Sequence, residues 1–282
     1  MNTQKLKTDI QYLLPKRFLT RVIGFFAGAK LGGITTFMIK QFIKHYNVNT
    51  KEMSGKVEDY KSFNAFFSRP LADGARAVYP DSNILTYPVD GKISHFGKIE
   101  DKFLFQAKNH YYTAEALLAD AKEAQTFKNG EFITIYLSPR DYHRVHIPFE
   151  GVLDKMIYVP GDLFSVSPLN AKYIPELFAR NERVVCYFNT SIGRMAVVFV
   201  GAAIVRSIST AWAGTVAPNK SKEVTTYEYG DRELTFPKGT EIGKFFMGST
   251  VICLFEKDKI SFSEDMQDGQ PTRMGLPMAK IK

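Results

Sequence analysis

From Pro70 onward the chain is composed of short β-branched and aromatic runs, and this texture restricts the fold more than any other feature. GKISHFGKI, FITIYL, GVLDKMIYV, RVVCYF, RMAVVFVGAAIV and STVICLF are each bounded by Gly, Pro, Asn or Asp, the pattern expected of strands joined by turns. One helix should interrupt them, opening at Thr113 with Glu115 in its first turn and running through Leu118. The segment FNAFFSRPL, Phe63 to Leu71, reads as the end of a helix with its exit at Pro70. The first 60 residues are different, with apolar positions recurring at helical spacing. The expectation is an α+β fold with a β-rich core and an N-terminal group of amphipathic helices, divided into residues 1–60 and 61–282. A short echo between YPVDGKISHFGKI and FPKGTEIGKFFMG suggests two related β-subdomains. At 282 residues and 45% hydrophobic, the chain can bury a substantial core.

The +8 net charge is concentrated at the start. Lys5, Lys7, Lys16, Arg17, Arg21, Lys30, Lys40 and Lys44 face a single acid, Asp9, within the first 45 residues, which suggests an anionic partner. After Pro15, the residues Phe18, Leu19, Val22, Ile23 and Phe26 form an apolar arc beside Arg17 and Arg21. Gly28, Gly32 and Gly33 interrupt it, and a second pattern runs through Ile34, Phe37, Met38, Phe42 and His45. A greasy face with a basic border suits an interfacial helix on anionic lipid, and a helix packed on the protein's own core has the same pattern. Nucleic acid is not expected, because the basic residues flank a wide apolar face instead of interleaving with polar ones. Lysines break the apolar stretches well short of the roughly 20 residues a spanning helix needs, and no secretory signal is read. Cys186 and Cys253 lie in apolar runs and are expected to be packed thiols in a reducing compartment.

Three stretches carry chemistry. In KGTEIGKFFMGSTV, Lys238 to Val251, the bond of interest joins Gly248 to Ser249. A serine hydroxyl can attack a neighbouring glycine carbonyl, since glycine tolerates the strained backbone required. The resulting ester, on losing the serine α-proton, breaks by β-elimination, and hydrolysis of the dehydroalanine leaves a pyruvoyl group. A Gly-Ser pair between strands is also an ordinary turn. In TIYLSPRDYHRVHIP, Thr134 to Pro148, Ser138, Pro139 and Asp141 suit a single helical turn, with His143 leaving it and His146 entering the next strand. Acid and base work suits these histidines, and so does a satisfied strand edge. No metal is expected, because His45, His95 and His110 stand alone and a third ligand is missing. In YPVDGKIS, Asp90 before Gly91 reads either as a hairpin turn or as a carboxylate that orients a histidine.

Together with QAKNHYYTAEALL, YVPGDLFSV, LFARNERVV, VGAAIV and the WAGT at Trp212, these stretches resemble the phosphatidylserine decarboxylase proenzyme family, in particular its bacterial membrane-associated members. The resemblance covers about Phe63 to Met278. It implies that Asp90, His146 and Ser249 form the triad for self-cleavage between Gly248 and Ser249, giving a larger chain 1–248 and a smaller chain 249–282. It further implies a covalent pyruvoyl cofactor derived from Ser249, which forms a Schiff base with phosphatidylserine and releases carbon dioxide and phosphatidylethanolamine. His143 would serve decarboxylation by reprotonating the α-carbon. The implied partners are the phosphatidylserine substrate, an anionic membrane surface at the cytoplasmic side, and the two cleavage chains as a heterodimer, with a homodimer left open. Met247, Ser167 and Arg206 depart from the family's usual leucine, asparagine and glycine. Two other readings stand beside this one: a serine hydrolase using Asp90, His146 and Ser249, although Met247 and Val251 replace the glycines of a nucleophile elbow, and a non-catalytic membrane-binding β-domain.

Overall fold

The computed structural model describes residues 8–9, 11–12, 15–202, 207–217, 221–246 and 249–282, the side chains of Arg17, Leu19 and Arg21 excepted. Lys5, Lys7, Arg206, Met247 and Gly248 lie outside the described residues. The apolar runs form antiparallel strands, and the centre of the molecule is a nine-stranded sheet. Its middle strands are, in spatial order, Gly151–Val159, Arg183–Thr190, Gly193–Val200, Ser249–Phe255, Glu131–Leu137 and Gly91–Lys98. Every residue of Ser249–Phe255 is buried. Both faces of this sheet are covered, and for that reason its strands read as continuous apolar runs and not as alternation. Val251, Cys253 and Phe255 point into one core cluster and Ile252 and Leu254 into another. Short helices, Ala114–Leu118 and Leu177–Arg180 among them, supply side chains to the second cluster, and a four-stranded sheet containing Arg144–His146 and Glu241–Phe245 supplies the first.

The α+β expectation holds, with differences of detail. Thr113 caps its helix as expected, its side chain accepting from the Ala116 N–H at 3.0 Å. More short helices interrupt the strands than the one expected: Ala121–Thr126, Pro168–Ala171 and Leu177–Arg180 were too short to show a period. FNAFFSRPL opens with a complete five-residue helix, Phe63–Phe67, capped by Ser62. The two echoing stretches fall in different sheets with different neighbours, Gly91–Lys98 in the large one and Glu241–Phe245 in the small one. Both cysteines are buried and free.

Helix α1 (Lys16–Gly28) and helix α2 (Gly33–Tyr46) are bent by 111° across the glycine-bearing break. No single helix among the described residues is long and apolar enough to cross a membrane. Phe18, Phe25, Phe26, Ile34 and Phe37 are all more than half exposed, so much of the apolar arc faces outward instead of into the core. The inward side of the pair packs on the α3 helix (Phe63–Phe67), with Ala27, Ile39, Phe63, Phe66 and Phe67 in one cluster that joins the two expected segments. Ahead of α1, Gln11 accepts from the Ser165 N–H at 3.0 Å and donates to Asn170 at 2.9 Å, while the Lys16 ammonium sits 3.7 Å from the Phe164 ring centre.

Candidate active site

Ser249 is the first residue of the central strand, paired across from Leu137, with Thr250 across from Tyr136. Its side chain is fully buried, and its hydroxyl oxygen has no hydrogen-bond partner among the described residues. A buried hydroxyl left unpaired costs free energy, on the order of 1–3 kcal/mol, and such sites are where function is worth seeking. Ser249 opens a strand and does not sit on a strand-to-helix elbow, the geometry a hydrolase of that class would need.

Beyond Leu137 the chain turns at Ser138–Asp141. The expected helical turn is instead a tight non-helical one: the Asp141 N–H donates to the Ser138 carbonyl at 2.9 Å, and the Asp141 carboxylate accepts both the N–H and the hydroxyl of Ser138, each at 2.7 Å. The acid reaches back to cap the serine, the reverse of the expected cap. Burial raises the Asp141 carboxyl above its usual range.

The two histidines that follow have opposite surroundings. His143 is fully buried, with its ring 4.2 Å from that of Phe67. Its Nδ1 lies 2.8 Å from the Asp141 carbonyl oxygen, which can only accept, so Nδ1 carries the proton and Nε2 holds the lone pair. That Nε2 has no partner among the described residues. Burial pushes the imidazole down to about 3, so it is neutral at physiological pH and its Nε2 accepts protons; the expected role as an acid requires that it first take one up. His146 lies in the Arg144–His146 strand. Its Nδ1 donates to the Gly239 carbonyl at 2.8 Å, and its Nε2 accepts from the Tyr142 hydroxyl at 3.0 Å. Burial lowers its affinity for a proton; the Gly239 bond and the charges of Glu241 and Asp90 oppose this, while Arg144 adds to it. Gly239 has φ +79°, and a Cβ there would collide with Val78, so both its conformation and its surroundings require glycine.

Asp90 does not bind His146 directly. Its carboxylate is held by Arg76 in a two-pronged ion pair and accepts the Met274 N–H at 2.8 Å. The His146 N–H donates to the Pro88 carbonyl at 2.9 Å, so the chain carrying Asp90 runs past the histidine, and the carboxylate acts on it through its charge. Asp90 and Tyr142 line one polar pocket of about 250 Å³ together with Arg69, Arg76 and Arg140. Gly91 makes this close packing possible, because a Cβ there would stand 2.5 Å from the Tyr136 carbonyl oxygen.

A larger apolar cavity of about 860 Å³ lies between the N-terminal helices and the sheet, lined by Phe26, Met38, Phe42, Phe67, Tyr136 and Ser165 among others. One of these residues touches the site, Phe67, whose ring lies against His143; Tyr136 is paired with Thr250, next to Ser249 in the central strand. Ser167, one of the departures named above, caps the Pro168–Ala171 helix and also lines this cavity. Tyr142 and Gly239 were missed by sequence reasoning, although both lie within stretches singled out for other residues. Arg76 is fourteen residues from Asp90 and carries no local signal.

A profile of the family described as "Phosphatidylserine decarboxylase" matches residues 63–280, and a second, described as "PSD", matches residues 6–47. The chain is 53% identical over 284 residues to the phosphatidylserine decarboxylase proenzyme of Aliivibrio salmonicida, with 99% of each chain covered. It is 52% identical to that of Vibrio parahaemolyticus, again with 99% of each covered, and 50% identical to that of Shewanella frigidimarina, with 98% of each covered. With a match of this extent across nearly the whole length, the chain belongs to the phosphatidylserine decarboxylase family.

Proposed function

We propose that this chain cuts itself between Gly248 and Ser249 and, with the pyruvoyl group so formed from Ser249, decarboxylates phosphatidylserine to phosphatidylethanolamine. The observation that carries this reading is the Ser249 hydroxyl, buried at the head of the central strand and without a hydrogen-bond partner among the described residues; an apolar cavity of about 860 Å³ bordered by Phe67 lies on the side of His143. The Ser249 oxygen attacks the Gly248 carbonyl carbon, its proton goes to His146, and the Gly248–Ser249 amide bond breaks as its nitrogen takes up a proton. Because the Tyr142 hydroxyl occupies Nε2 of His146, that hydroxyl either yields the lone pair or passes the proton on. Asp90, held by Arg76, supports the positive charge that forms on His146.

A residue set of this kind suits the cofactor: one serine with a free hydroxyl, and one neutral histidine with a free lone pair. The pyruvoyl group supplies an electron sink next to the substrate α-carbon. Nε2 of His143 takes a proton from the substrate ammonium and returns it to the α-carbon once the carboxylate has left as carbon dioxide. The apolar cavity accommodates acyl chains, and the exposed apolar faces of α1 and α2 rest in the membrane interface with the exposed Lys30 and Lys44 on anionic headgroups. In this reading the protein is peripheral, at the cytoplasmic face, and its two cleavage chains remain together as a heterodimer.

A denaturing gel with intact-mass measurement tests the reading. Purified protein should separate into fragments 1–248 and 249–282, the smaller with a blocked, pyruvoyl-bearing terminus, and should release carbon dioxide from phosphatidylserine vesicles. A single intact 31.9 kDa chain that turns over the lipid would sink it.

A further inference from the structure

Arg69 is only 3% exposed, and no carboxylate lies within ion-pair distance of it among the described residues. Its guanidinium lies over the Phe66 ring at 5.2 Å, and Nη2 donates to the Arg140 carbonyl at 3.1 Å and, more weakly, to that of Asp141 at 3.5 Å. Nε and Nη1 are buried without partners among the described residues. A buried cation with three of its five N–H donors idle is costly, and an apolar side chain of similar volume is often as stable or more so. Holding two backbone carbonyls is a poor return on that cost unless the carbonyls matter.

One of them does. The Asp141 carbonyl that Arg69 approaches is the group that accepts Nδ1–H of His143. Three consecutive residues grip the same segment: the Phe67 ring packs on the His143 ring, the Ser68 carbonyl accepts Arg144 Nε at 2.9 Å, and Arg69 takes the turn carbonyls. The elements packed around His143 present one charged group that acts on its ring, Arg69, since the Asp141 carboxylate faces Ser138.

We infer that Arg69 is a positioning residue for His143: by holding the Asp141 carbonyl it fixes the proton on Nδ1 and keeps Nε2 as the free lone pair. Its charge also disfavours a second proton on the ring. The inference rests on the decarboxylation role given to His143 above.

The test compares Arg69→Met, Arg69→Lys and His143→Ala in the full chain, with turnover expressed per cleaved chain so that incomplete processing does not count. Arg69→Met should lower kcat by roughly 10- to 100-fold with KM nearly unchanged, the scale expected of a misplaced proton carrier. Its acid limb should move to higher pH, because loss of a nearby cation lets His143 regain basicity. Arg69→Lys should restore the limb but not the rate, because an ammonium keeps the charge and loses the fork. An independent reading comes from ¹⁵N shifts of His143 in the uncleaved Ser249→Ala chain. Arg69→Met, or Arg69→Lys should the former not fold, should mix the two tautomers. A normal rate and unmoved limb in Arg69→Met beside a slow His143→Ala would overturn the inference and leave the role of His143 intact. A normal rate in His143→Ala would remove both.

Discussion

His143 and His146 stand three residues apart, and the molecule treats them as different reagents. His143 has a free lone pair in a dry aromatic setting and one charge acting on it, that of Arg69. His146 has both nitrogens engaged and lies among the charges of Asp90, Glu241 and Arg144. A histidine held neutral with a vacant nitrogen suits repeated proton exchange with a substrate. One set among carboxylates suits a single, harder deprotonation that leaves it positively charged. The ladder adds a tension: the His143 carbonyl accepts the Phe245 N–H, at the Ser249 end of the Glu241–Phe245 strand, while His146 lies across from Glu241 at the far end. Proximity along the ladder thus favours His143 for cleavage, and the electrostatics favour His146.

The largest expected effect anchors the comparison: Ser249→Ala should remain one uncut chain on a denaturing gel and show no lipid turnover, and normal cutting would remove Ser249 as the origin of the cofactor. Next, His146→Ala should also stay whole, whereas His143→Ala should split into two chains yet turn over phosphatidylserine roughly 10²- to 10⁴-fold more slowly, the usual worth of general acid or base help. Hydroxylamine sharpens this, because it cuts an ester at position 249 but not an amide. The opposite pattern would exchange the two roles and side with the ladder.

A smaller effect is expected from Tyr142→Phe, which removes the hydroxyl on His146 Nε2 and keeps the ring. Cutting should slow by about tenfold in a time course; faster cutting would mean that Tyr142 competes with Ser249 for the lone pair. The smallest effect is on stability. Both histidines hold protons less tightly folded than unfolded, so the unfolded chain binds more protons in acid. Their contribution is complete above the unfolded value near 6.5 and is lost as pH falls from there toward about 3 for His143. The slope approaches ~1.4 kcal/mol per pH unit for His143 alone, and urea midpoints of His143→Gln should depend less on pH across that window.

The strands were legible because each is a short apolar run closed by turn residues, and burial on both sheet faces made the signal stronger. Four-residue helices such as Leu177–Arg180 were not, because they complete barely one turn. The expectation placed on Gly248 and Ser249 came from two residues adjacent in sequence. The partners of His146 and Asp90 could not be read that way: Gly239 reaches His146 through its backbone, and Arg76 reaches Asp90 across a loop. A carbonyl carries no residue-specific signature, so nothing in the expectation that Asp90 orients the imidazole could show that the Gly239 carbonyl takes Nδ1–H.

The small chain is woven into the protein it would be cut from. Residues after the proposed scissile bond supply the middle strand of the large sheet, pair Pro271–Thr272 with Gly91–Lys92, and pair Pro277–Ile281 with Ile84–Thr86. Breaking one peptide bond therefore releases nothing. The new terminus stays at the head of a strand clamped on both edges, and the fragment can leave only if the sheet comes apart. Maturation of this kind would be a one-way event without a partner to lose: dilution should not separate the halves, and a free small chain should not replace a damaged one. If the proposed cut is made, a molecule whose cofactor is spoiled has no loose part to exchange for a sound one.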